Sequence, residues 1–147
     1  MAEIKGGEKL EMYLAGLAQR VKKAATVKVG FLQGATYPDG TPVAMVAAIQ
    51  NYGAPKVGIP PRPFFSNMVK EKSGGWGDVL GSALTASNYD ASDALKMMGD
   101  HISGDLRQSI IETSDPPLKP ATVKRKGFDK PLVDTGHMLQ SIDYEVS

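Results

Sequence analysis

The sequence predicts an α+β fold: a small antiparallel sheet packed against helices, with long Pro/Gly-rich loops. Three observations carry this. Segments 8–25, 43–52 and 92–113 repeat apolar residues at helical spacing, whereas 26–32 and 142–146 alternate them as strands do. The two strand-like segments stand at opposite ends of the chain with helices between them, which is not the order of alternating β–α units. All 10 Pro fall between the strongly periodic segments, where they mark loops. A chain of 147 residues can bury one core and not two, so one domain over residues 1–147 is expected.

The elements follow in order. Leu10, Tyr13, Leu14, Leu17 and Val21 share one face of the first helix. Glu8 and Glu11 open it and Arg20, Lys22 and Lys23 close it, the order that complements the helix dipole. Val27, Val29 and Phe31 then alternate with Thr26, Lys28 and Gly30 as a half-buried strand. Pro38-Asp39-Gly40 is a turn, because Pro presets φ and Gly accepts positive φ. Thr41-Pro42 starts the next helix, with the hydroxyl as cap and Pro at the first helical position. Val43–Tyr52 carries no charge, so burial is expected, within the domain or against a neighbouring subunit; Gly53 ends it.

Residues 54–63 hold four Pro and read as a stiff, extended arm directed into solvent. Phe64–Lys72 is helical, Ser73–Gly77 breaks the helix, and Asp78–Tyr89 fits either a short helix or a loop. Residues 92–113 set Leu95, Met98, Ile102, Leu106 and Ile110 on one stripe, roughly 33 Å long at 1.5 Å per residue. Gly99 and Gly104 within it each cost about 1 kcal/mol relative to Ala, so something packs closely there or the helix bends. Ser114–Pro117 stops this helix and Pro120–Lys126 supplies one or two turns. Asp134 caps a short helix Thr135–Ser141, and Ile142–Val146 is the last strand.

Composition excludes several classes. Seventeen Lys and Arg against sixteen Asp and Glu give a net charge of +1, so no overall field favours a nucleic acid or a basic partner. With no cysteine, disulfides, Cys-ligated zinc, iron–sulfur clusters and thiol catalysis are out. The charge-free run Met12–Gln19 is too short to span a bilayer. The opening residues lack the basic-then-apolar order of a signal peptide, so a soluble, unprocessed protein without membrane contact is expected.

Catalytic patterns are weak. Leu132-Val133-Asp134-Thr135-Gly136 has the look of an aspartic-protease active-site strand, but that chemistry needs a paired carboxylate and a β-scaffold after the motif. Only 11 residues follow Gly136, and a helix cap explains Asp134 better. His101 and Asp105 have the i, i+4 spacing of metal ligands, with Asp100 adjacent, but no third ligand is evident and an ion-pair contact explains them. His137 reads as a surface or turn residue. The two His complete no Ser-His-Asp set, and no phosphate-binding Gly-rich loop follows a strand. Neither an enzyme nor a cofactor or metal is expected. Lys119, Lys124, Arg125, Lys126 and Lys130, offset by Asp115 and Asp129, give +3 over residues 115–130. A charge run of this kind is usually a solvated face; its functional reading is a small nucleic-acid-binding module using 119–130. Arg62-Pro63-Phe64-Phe65 places a guanidinium beside two aromatics, which serve either as anchors of a subunit contact or as part of the domain's own core.

Three stretches resemble a known family. Tyr37-Pro38-Asp39-Gly40-Thr41-Pro42-Val43-Ala44 leads through Ala47-Ala48-Ile49-Gln50-Asn51-Tyr52-Gly53 to Ile59-Pro60-Pro61-Arg62-Pro63-Phe64-Phe65. Leu118–Lys126 and Pro131–Ile142 follow in the same order. Together they are similar to the tail-completion (virion morphogenesis, minor tail) proteins of long-tailed bacteriophages. The resemblance covers most of residues 27–146, leaving out the first helix and 73–92. It implies a non-catalytic structural protein of the virion neck or tail end, made and assembled in the host bacterial cytoplasm. Such proteins form rings, commonly of six copies, that meet a tail tube or tail terminator and head-closure or neck proteins, with DNA only as passing cargo. Tyr52, Pro60, Pro61, Arg62, Phe64 and Phe65 are then candidate subunit-interface residues, and Lys124, Arg125 and Lys126 a candidate DNA or partner contact. The family pattern often has an acidic residue where this chain has Asn51.

Overall fold

The computed structural model describes residues 6–113 and 136–147. In chain order the elements are α1 (Gly7–Val21), β1 (Val27–Phe31), α2 (Val43–Tyr52), a 3-10 turn (Pro55–Val57), α3 (Phe64–Ala86), α4 (Ala91–Glu112), α5 (His137–Gln140) and β2 (Ile142–Val146). The architecture is α+β, as the periodicities predict, with β1 and β2 forming a two-stranded antiparallel sheet against the helices. The turns expected over 120–126 and the Asp134 cap lie outside the described residues. So do Lys124, Arg125 and Lys126.

The register sets Val27 opposite Val146, Val29 opposite Tyr144 and Phe31 opposite Ile142. Both Ala25 and Thr26 donate their amides to the Ser147 carbonyl at 2.9 Å, which extends the pairing by one residue. An isolated two-stranded sheet is marginal in water. Here it lies on α4, which buries Ala94, Met98, Leu106 and Ile110. Ile142 is buried toward that side, while Asp143 and Glu145 are exposed. Val43, Phe64, Met68 and Met138 complete the core with Leu106, Ile110 and Ile142.

The glycine question in α4 has a split answer. A methyl group at Gly99 would fall inside the ring of Tyr144, so this glycine is what lets β2 approach the helix. Gly104 faces open space, and nothing in the packing requires it.

Three expectations need correction. Helix α3 does not break at Ser73–Gly77 but runs from Phe64 to Ala86. Trp76 packs against the core and donates its indole N–H to Asp105 Oδ2 at 3.2 Å, and Ala83 is buried toward the α4 side. Packing along α4 thus outweighs the helix cost of Gly74, Gly75, Gly77 and Gly81. At α2, Pro42 is itself the N-cap residue and the Thr41 hydroxyl caps nothing; the Thr41 amide donates instead to Asp39 Oδ1 at 2.9 Å. The short C-terminal helix starts at His137, after Gly136 in the left-handed region.

Helix α1 forms as expected yet buries none of its residues. It is held at its C-terminal end. Arg20 Nε donates to the Asn88 carbonyl at 3.0 Å, and Lys23 pairs with Asp90. Asn88 and Tyr89 both take positive φ in the tight α3–α4 turn, and Asp90 caps α4 by accepting from the Asp93 amide at 3.1 Å. The Lys23 ammonium first, and the Asp93 N–H second, hold the Asp90 carboxyl below its ordinary 3.8.

Two outcomes follow. Gly99→Ala should lower stability by about 1–3 kcal/mol through overpacking, and by clearly less in a Tyr144→Leu background, read from urea midpoints. Asp90 has a depressed pKa when folded, so its hold on α1 is complete above 3.8 and lost as the pH falls through the folded value. Amide exchange in α1 should quicken over that acid range relative to α4, and Asp90→Asn should abolish the step.

Candidate functional site

The proline-rich connection between α2 and α3 is a closed loop. Gly53 takes φ 75° and ψ 174°, a region open essentially to glycine alone. A methyl there would also sit 2.8 Å from the Pro61 nitrogen. Ala54 and Ile59 exchange backbone hydrogen bonds of 2.8 and 3.1 Å around the 3-10 turn, and Gly58 closes that turn in the left-handed region. The Arg62 amide then donates to the Gln50 carbonyl at 2.7 Å. The expected extended arm is therefore folded back on α2. Proline stiffens the run, but two glycines at positive φ reverse its direction.

Asn51 fixes the base of this loop. It is 4% exposed. Its Oδ1 accepts from the amides of Phe65 and Ser66 at 3.0 and 3.1 Å, and its Nδ2 donates to Ser66 Oγ at 2.8 Å. Those amides open α3 and have no partner inside the helix, while Pro63 at the N-cap offers no side-chain acceptor. Asn51 thus caps α3 from a different helix. An acidic residue at this position would keep the acceptor oxygens; Asn adds the donor that Ser66 uses.

The candidate interface residues divide into two sets. Phe64 is 1% exposed and meets Phe31 and Phe65 edge to face, with ring centroids 6.3 and 6.5 Å apart. Arg62 is 7% exposed, reaches Gln50 Oε1 at 3.3 Å, and has its pKa lowered by burial. Both lie in the chain's own interior, the second of the two roles the sequence left open for this stretch. Tyr52, Pro60 and Pro61 are exposed and Phe65 is half-buried. Phe31, Ala44, Ala48, Tyr52 and Phe65 enclose an apolar groove of about 180 Å³ floored by Ala47. Such a surface can receive an apolar side chain and offers no acid, base or nucleophile.

The other candidates are structural. Asp105 Oδ2 receives the Trp76 indole and lies 3.5 Å from His101 Nε2, so the i, i+4 pair is part of the α3–α4 packing. Among the described residues no three His, Asp or Glu side chains converge as metal ligands. His137 Nε2 donates to the Thr36 carbonyl at 2.6 Å and its ring lies on Tyr37, centroids 4.9 Å apart. It fastens the C-terminal segment to the Tyr37–Gly40 turn. A polar cleft of about 370 Å³ between α3 and α4 is lined by Glu71, Lys72, Asp105 and Glu112. No described helix is long and apolar enough to cross a membrane.

Compared with protein-family models, curated proteins and solved structures, the chain has no match.

Sequence reasoning missed the capping role of Asn51 and the unburied face of α1. The signal for Asn51 was present: a helix entered through Pro63, with no capping side chain of its own, must find an acceptor elsewhere. Asn51→Ala should cost about 1–2 kcal/mol, and Asn51→Asp much less, because only Ala removes the acceptor. Gly53→Ala should cost about 1–3 kcal/mol from backbone strain alone. Chemical denaturation of the three variants checks both statements.

Proposed function

We propose that this chain is a non-catalytic structural subunit of the neck or tail end of a long-tailed bacteriophage, working as a ring of copies of itself. Six copies is the number the resemblance implies. In this reading the ring completes the tail and helps join it to the head, meeting a tail tube or terminator on one side and head-closure or neck proteins on the other. DNA passes through and is not a specific ligand.

One observation carries the reading beyond the sequence motifs. The motif stretch 37–65 presents an uncharged helix face, with Met45 50% and Tyr52 75% exposed beside an apolar groove. Contiguous apolar surface of this kind is what subunit contacts use. The closed loop holds that face rigidly, so little ordering is lost on association.

The test is the solution mass by light scattering, over a concentration series and two salt levels, with and without tail tubes or neck proteins. A discrete ring-sized species, formed alone or on those partners, is the expected result. Tyr52→Asp should leave folding stability within about 0.5 kcal/mol, as exposed positions do, and abolish the ring. A monomer that ignores the partners and binds DNA with steep salt dependence would replace this reading with the nucleic-acid module.

A further inference from the structure

Helix α1 carries a second apolar surface that the described residues leave exposed. Leu10, Tyr13, Leu14 and Val21 share one face and are 58%, 55%, 51% and 45% exposed. Single exposed apolar residues are ordinary, but a continuous stripe marks a contact. The helix is also fixed in place. Arg20 and Lys23 tie its C-terminal end to the α3–α4 turn, so the stripe is presented as a ridge.

Charge narrows the occupant. Within α1 the side chains Glu8, Lys9, Glu11 and Arg20 balance to zero, and of the two lysines just past its end Lys23 is paired with Asp90. A helix that lies on an anionic lipid surface instead carries a Lys/Arg-rich polar face. The stripe therefore calls for an uncharged protein surface, and the chain itself supplies one. Helix α2 has no charged residue, and the groove along it is floored by Ala47 and walled by Ala44 and Ala48 with Phe31, Tyr52 and Phe65. At about 180 Å³ the groove is smaller than small-molecule pockets, which begin near 300 Å³. It compares with the roughly 150 Å³ apolar cavity that accepts a benzene ring, which is room for one aromatic or branched side chain. A ridge of large residues and an alanine-floored groove between aromatic walls are complementary shapes. Within the chain, α1 touches α4 but buries none of its residues there.

We infer that the α1 ridge of one copy seats in the α2 groove of the next, with Tyr13 or Leu14 as the inserted side chain. This rests on the ring reading above and names its contact. The two surfaces differ, so the contact is heterologous, and repeated by rotation it closes a ring. One helix face falls short of the roughly 800 Å² per partner of a standard interface. A single pair is therefore weak, and closure of the ring supplies the rest through high effective concentration.

The absence of cysteine makes the test clean. Tyr13→Cys and Ala48→Cys, both at exposed positions, are made in separate full-length chains, mixed equally at high concentration and oxidised. The mixed disulfide should exceed either homodimer by about tenfold, against the twofold excess that random pairing gives. The double variant should give a ladder of linked copies that Leu14→Asp abolishes. The 1:2:1 distribution of random pairing, or a dominant Tyr13→Cys homodimer, overturns the inference. A ring seen by light scattering without the mixed disulfide overturns it and leaves the ring reading standing. No self-association and no ladder removes both. Sedimentation of the unmodified chain with anionic vesicles would reassign α1 to a lipid surface.

Discussion

The approach of Tyr144 to the bare backbone of Gly99 is the contact on which the arrangement turns. Two strands of five residues cannot hold a sheet by themselves. They persist because β2 lies on α4, and it can lie there only where α4 has no side chain in the way. Once β2 is seated, its register brings β1 in beside it, and Phe31 reaches Phe64 at the start of α3. Burial and the nearby Asp100 carboxylate both raise the Tyr144 pKa, so the hydroxyl is neutral across ordinary pH. The strand nearest each end of the chain is thereby locked onto the helix between them.

Asn51 does for the α2–α3 region what Gly99 does for the sheet. A buried amide making these three hydrogen bonds is specific as well as stabilising, because losing one leaves a polar atom stranded. The geometry couples the direction of α2 to the first turn of α3. The exposed face of α2 is then carried on a rigid frame, with Phe64 and the buried Arg62 as internal supports.

Much of this was legible in the residues. The boundaries of α2 and β2, the terminating role of Gly53 and the stripe of α4 follow from periodicity and from where glycine and proline stand. What was not legible depends on partners distant in sequence. Nothing local tells that Ser73–Gly77 stays helical, because the reason is Trp76 meeting Asp105 on another helix. Four prolines predict stiffness but not direction, and the reversal at residues 54–63 belongs to Gly53 and Gly58. Phe64 and Phe65 look alike in sequence, yet Phe64 is buried in the core and Phe65 is half-buried at the groove. The apolar face of α1 was readable as a face, but its exposure was not, since amphipathic patterning alone does not say whether the covering surface lies in the same chain.

The closed loop between α2 and α3 also gives the molecule a detachable tip. Its base is tied by Asn51 to Phe65 and Ser66 and by Gln50 to Arg62, while Lys56, Val57 and Gly58 are exposed and make no side-chain contact that the base relies on. Chain added at such a point leaves the tied stem unchanged, and lengthening a surface loop costs little closure entropy. The tip is thus a natural site for grafting: a peptide epitope or fluorophore tag set between Val57 and Gly58 would label the chain without touching its core.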